Sequence, residues 1–184
     1  MYYIGKLHVN VSLLQRNGSG GLIILIIQVI IHLSILSNKM KYKFKAAILE
    51  KLNSPLKIDY ISFDGKLLKG QVLVKILYSG ICGSQLGEIQ GIKGKDNYLP
   101  HLMGHEGIGE VLDINQKVKK VKKGDYVLLH WMPSRGINSP VPSYEWKNKK
   151  VNAGNLTTFN TLAVVSENKL TKISKKQSQN KKVL

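Results

Sequence analysis

The chain has 184 residues, with 28 Lys and Arg against 11 Asp and Glu, a formal net charge of +17 and one cysteine. At roughly 100 to 200 residues per domain this is one ordinary domain with short appendages, and a lone cysteine excludes a disulfide-stapled secreted mini-protein and a cysteine-rich zinc finger. Hydrophobic content of 43% and charged content of 21% exclude a chain disordered throughout.

Residues 1–42 carry Lys6, Arg16, Lys39 and Lys41 and no acid. Within them Gly21 to Ser37 reads GLIILIIQVIIHLSILS. Its length of about 17 residues is the lower edge of what crosses a bilayer, and the flanking charges give no clear orientation. A signal peptide fits poorly, because no small-x-small site precedes Asn38 and the polar lead is long. An unstructured or translated leader, a membrane anchor and a core helix all stay open. Met40 opens MKYKFKAAILE, a natural start for a strand-led domain. The segment bears on localisation, cytoplasmic or membrane-anchored through residues 21–37, and not on chemistry.

From Lys43 the apolar pattern has strand character. Phe44 to Leu49, Leu56 to Ile61 and Gln71 to Tyr78 are short Val-, Ile- and Tyr-rich runs separated by turn-formers such as Asn53-Ser54-Pro55 and Asp64-Gly65. Similar runs recur at Gly109 to Ile114, Asp125 to Trp131 and Phe159 to Val165. They predict a mainly antiparallel β barrel or sandwich with one short helix over Ser84 to Gln90. Asn138 to Asn155 has Pro140, Pro142 and no apolar period. It reads as a long excursion in which a regular central strand is not expected.

All 11 acids fall between residues 43 and 173, and Lys175, Lys176, Lys181 and Lys182 load the end. Of the basic residues only Arg16 and Arg135 are arginine, the side chain suited to bidentate base and phosphate contacts, so specific nucleic-acid binding is not expected.

The stretch from Gly80 to Val111 carries the chemistry. GICGSQLGEIQ followed by PHLMGHEGIGEV brings together Cys82, His105 and Glu106 among glycines. Thiolate, imidazole and carboxylate are zinc donors, and an incomplete protein shell leaves room for water or substrate. Singly, each has an ordinary structural reading, and the spacing alone does not specify a metal site.

The words around these residues resemble a known family. GICGS at 80–84, GHEGIGEV at 104–111, VKKGDYVLL at 121–129 and TFNTLAVVSENKLTKI at 158–173 are similar to the N-terminal GroES-like catalytic domain of zinc-dependent medium-chain alcohol dehydrogenases. The resemblance spans residues 43–173, leaving 1–42 as an extension and 174–184 as a Lys-rich tail. It implies a mainly β, GroES-like, partly open barrel with short helices. It also implies Cys82 and His105 as zinc ligands, Glu106 as a glutamate that approaches or ligates the metal, and Ser84 as the hydroxyl that receives the alcohol proton. Trp131 and Phe159 fall on substrate-pocket positions, with core packing an equal alternative. Zinc would stabilise the alkoxide or polarise the carbonyl, with hydride passing between a small alcohol or carbonyl substrate and NAD or NADP.

The chain departs from the family pattern in several places. Gln85 stands where many members have an acid beside the relay hydroxyl, and Gly87 where a relay histidine is common. A four-cysteine zinc lobe is missing from the excursion. No GxGxxG follows a strand, no βαβ pattern follows Ile173, and the remaining zinc ligand has no counterpart. These departures predict a catalytic domain without its cofactor half, inactive by itself. The alternative expectation is a non-catalytic binding module or membrane-tethered remnant with a basic surface. His101 and His130 are assigned no ligand role, and nothing here fixes an oligomeric state.

Overall fold

A computed structural model describes residues 42–180 of the protein. The apolar segment at 21–37, with its leader and anchor readings, and Lys181 and Lys182 lie outside the described residues. Among the described residues no helix is long and apolar enough to cross a membrane.

The chain begins with β1 (Tyr42–Leu49), β2 (Lys57–Phe63) and β3 (Gln71–Ser79), then a short helix α1 (Gly83–Ile89). After β4 (His101–Leu102) come β5 (Glu106–Ile114), β6 (Tyr126–His130), β7 (Tyr144–Trp146) and β8 (Lys149–Val151). β9 (Leu162–Ser166), a 3-10 turn at Glu167–Lys169, β10 (Leu170–Ile173) and α2 (Lys175–Ser178) complete it. The strands form two five-stranded sheets, β4-β1-β2-β7-β8 and β10-β6-β5-β3-β9, in which the strand pairs are antiparallel. This is the mainly β, GroES-like architecture that the resemblance implied.

Alternation sets the layers. In β1, Phe44, Ala46 and Ile48 are buried while Lys43 and Lys45 are exposed, the period-2 pattern of a strand with one wet face. In β3 the run Gln71–Val74 is buried throughout. Leu73 packs with Phe44, Ile61 and Phe63, whereas Val72 and Val74 pack with Val111, Val127 and Leu129. β3 thus lies between two hydrophobic cores, which is why Val72–Leu73–Val74 is continuously apolar rather than alternating. β9 does the same, with Val164 in the first core and Ala163 and Val165 in the second. Tyr144 ties the sheets together: its fully buried ring meets Phe44 and Phe63 edge-on, and its hydroxyl oxygen accepts the Val164 N–H at 2.8 Å.

The six expected strands and the expected helix are present with ends shifted by a few residues. Four strands were not expected. β4 and β10 are too short to carry a period, and β7 and β8 overturn the expectation of an irregular excursion. That hairpin turns at Lys147 and Asn148, both at positive φ (50° and 61°), a primed two-residue turn without the Asn-Gly pair that usually signals it. The prolines before it are respected, since the hairpin lies at a sheet edge. At the start of the Lys-rich tail, Ser174 and Gln177 cap α2 reciprocally.

Candidate functional site

Two elements that leave the second sheet at one end carry the sequence candidates on neighbouring segments, without drawing the ligand atoms of Cys82, His105 and Glu106 all within 4.8 Å of one another. β3 ends at Ser79, opposite Gly107 of β5, and the Gly80 N–H donates to the Glu106 carbonyl at 3.2 Å. A Cβ on Gly80 would lie 2.5 Å from Glu106 Oε1, so the glycine is what lets this carboxylate lie against the backbone beside Cys82. Gly104 turns the chain at φ +93°, where a Cβ would meet the Thr158 hydroxyl at 2.3 Å. Met103 just before it accepts the N–H groups of both Thr158 and Phe159 at 3.0 Å. The His105-Glu106 dipeptide is therefore held by neighbours on both sides.

Cys82 is the N-cap of α1, at φ −96° and ψ 152°. Its thiol is held below the ordinary range, chiefly by the Ser84 hydroxyl and then the Ser84 amide, which outweigh burial and the nearby Glu106 carboxylate. Gln85, only 2% exposed, links the Cys82 backbone and the His105 imidazole. Its Oε1 accepts the Cys82 N–H at 2.7 Å, and its Nε2 lies 3.2 Å from His105 Nδ1. An amide nitrogen only donates, so Nδ1 accepts and the neutral ring carries its proton on Nε2. Gln85 entered the sequence reading as a departure; in the structure it is the bridge between the two residues expected to bind metal.

The remaining sequence candidates do not share this cluster. Trp131 is 62% exposed just after β6, its carbonyl accepting from Lys169 Nζ. Phe159 borders a shallow hollow of about 230 Å³ with Lys45, Ala46 and Ile58. A larger cavity of about 550 Å³ is lined by Gln85, His105, Glu88, Asp96, His101 and Tyr98, among others. Neither Trp131 nor Phe159 lines it.

Among the described residues, Glu88, Asp96 and His101 bring one ligand atom each to within 4.8 Å of one another. Sequence reasoning missed this group, since a residue of α1, one of the following loop and one of a two-residue strand share no spacing that signals a site.

As donors for zinc, Cys82 and His105 are suited in kind. The lowered thiol pKa favours the form a metal takes, whereas His105 Nε2, which carries the ring proton beside Gln85, can ligate only once the ring adopts its other tautomer. For a dinucleotide the described residues offer no fit, because they contain no parallel βαβ unit.

Comparison with known proteins matches the alcohol dehydrogenase GroES-like domain over residues 68–175. Alcohol dehydrogenase-like 3 of Arabidopsis thaliana is 42% identical over 84 residues, covering 46% of this chain and 21% of the plant protein. An alcohol dehydrogenase of Geobacillus stearothermophilus is 39% identical over 93 residues, covering 49% of this chain and 26% of its own. The match thus spans about a quarter of these relatives' length. Among solved structures, an alcohol dehydrogenase zinc-binding domain protein from Burkholderia ambifaria superposes with a TM-score of 0.63 at 18% identity, covering 73% of this chain and 43% of that one. At that identity it speaks for the fold alone.

Proposed function

Because the chain belongs to the alcohol dehydrogenase GroES-like domain family, we propose that it supplies the metal-holding, alcohol-binding half of a zinc-dependent alcohol dehydrogenase. The observation that carries this is the Cys82–Gln85–His105 linkage, which fixes a thiol inclined to ionise and an imidazole around one buried amide.

Cys82 Sγ and His105 would hold the zinc, with Glu106, packed over Gly80, as the exchangeable carboxylate. Bound zinc would act as a Lewis acid toward an alcohol or carbonyl oxygen. Ser84 Oγ would take the alcohol proton. Ser84 is exposed, so as Oγ takes the alcohol proton its own hydroxyl hydrogen would pass to water, without a relay histidine at Gly87. An aldehyde or ketone would be the product, with NAD or NADP taking the hydride. No step through the nucleotide is assigned to the described residues, and the 184 residues by themselves should turn over no alcohol.

The test is zinc stoichiometry of the chelator-stripped, reloaded full chain, beside NAD(P) reduction with small alcohols. The proposal expects Cys82→Ala/His105→Ala to lose one zinc equivalent, and no turnover by the chain alone. Zinc content unchanged by the double substitution would refute the ligand assignment, and robust turnover would refute the division of labour.

A further inference from the structure

Glu88, Asp96 and His101 lie in the wall of the 550 Å³ cavity and have no part in the reaction proposed above. His101 belongs to β4, which pairs with β1 through Leu49 and His101. The residue is 7% exposed, so its ring is fixed by its surroundings.

The hydrogen-bond pattern determines what the ring can present. Nδ1 lies 3.0 Å from the Leu102 carbonyl oxygen. A carbonyl only accepts, so Nδ1 carries a hydrogen. Nε2 then faces Asp96 Oδ2 at 2.9 Å and Glu88 Oε1 at 3.8 Å. Ionised carboxylates also only accept, so a neutral ring would set its lone pair against two anionic oxygens. A positive species must stand between them. A proton on Nε2 can meet Asp96 along one line, but it cannot also serve Glu88 at 3.8 Å, beyond hydrogen-bond reach.

One cation coordinated by all three would satisfy the whole group. Donors held at about 2.1 Å by a single tetrahedral ion stand about 3.4 Å apart, and the two distances of 2.9 and 3.8 Å bracket that spacing. Two carboxylates and an imidazole suit zinc and similar borderline ions better than calcium or magnesium, which take oxygen alone. The Leu102 carbonyl is the outer partner that orients a ligating histidine by accepting its other N–H. Three protein ligands leave a fourth position open to the cavity.

We propose that Glu88, Asp96 and His101 form a second divalent transition-metal site, separate from Cys82 and His105. Metal entering it displaces any proton on Nε2 to solvent.

The experiment titrates Zn²⁺ into the metal-free full chain by calorimetry, with the Cys82→Ala/His105→Ala background removing the other candidate site. On that background one equivalent should still bind. Asp96→Asn and Glu88→Gln, near-isosteric changes that keep the fold, should each weaken it by about tenfold or more, the scale on which even outer partners of a metal matter. His101→Ala should abolish it, with folding checked by circular dichroism. No binding on the double-variant background, or binding indifferent to Asp96→Asn and Glu88→Gln, would overturn the site and leave a proton-bridged ion pair only. Because Cys82 and His105 are absent from that background, these outcomes are independent of the zinc assignment above.

Discussion

The body of the two sheets and the end that carries Cys82 and His105 are built on opposite terms. In the body, the buried carboxylate is enclosed and multiply bonded. Glu167, 3% exposed, accepts the N–H groups of Lys119 and Lys120 at 2.7 Å on one oxygen and that of Ile137 at 2.9 Å on the other. At the site end, Cys82 and His105 are only half-buried and are joined through the single side chain of Gln85. Stability and chemistry are therefore separable. The body should tolerate little, and the site should lose metal without losing the fold.

The largest effect belongs to Leu73, buried on β3 in the core it shares with Phe44 and Tyr144. Leu73→Ala leaves a cavity between the sheets and should cost about 2 to 5 kcal/mol in denaturant unfolding. An effect below about 1 kcal/mol would contradict the close packing of Leu73 in that core.

Next comes Glu167. Burial raises its pKa, but the three backbone N–H groups and Lys120 hold it below the usual carboxylate range. A depressed folded pKa contributes stability that is complete above the unfolded carboxylate value, about pH 4 to 5, and is lost as pH falls through the folded one. Glu167→Gln puts an amide donor against a backbone N–H, should cost about 1 to 3 kcal/mol near neutral pH, and should flatten the acid side of the stability profile. An unchanged acid limb would show that this carboxylate is not what acid unfolds.

At the site end the expected stability effects shrink while the functional ones grow. Cys82→Ala/His105→Ala should shift stability by no more than about 1 kcal/mol while removing a zinc equivalent. Gln85→Glu gives His105 an acceptor in place of a donor, so the ring can keep its proton on Nδ1 and offer Nε2. Zinc affinity should rise by about tenfold or more, read by calorimetry. Unchanged or weakened binding would mean that Gln85 does not set the tautomer.

The smallest change is in thiol reactivity. Ser84 lowers the Cys82 pKa, so the midpoint of its alkylation rate should lie below the ordinary thiol range, near 8.5, and move upward in Ser84→Ala.

How much of this was legible in the sequence follows from how each feature is encoded. β1 and β3 announce themselves because burial on one or two faces writes directly into the apolar pattern. The 144–151 hairpin does not, since its turn uses Lys147 and Asn148 at positive φ and its strands are three residues each. Cys82, His105 and Glu106 were found through the words around them, not through their spacing. Gln85 was visible only as an exception, because its role depends on which atom meets the Cys82 N–H. His101 was passed over, since its meaning comes from Glu88 and Asp96, brought to it by the turn between α1 and β4.

The central claim is that Cys82 and His105 hold the metal of this domain, and cobalt(II) substitution of the stripped full chain tests it most directly. Sulfur-to-cobalt charge-transfer absorption should appear in the wild type, vanish in Cys82→Ala and weaken in His105→Ala. Cobalt binding with no sulfur charge transfer in the wild type, or with a spectrum unchanged by Cys82→Ala, would contradict it.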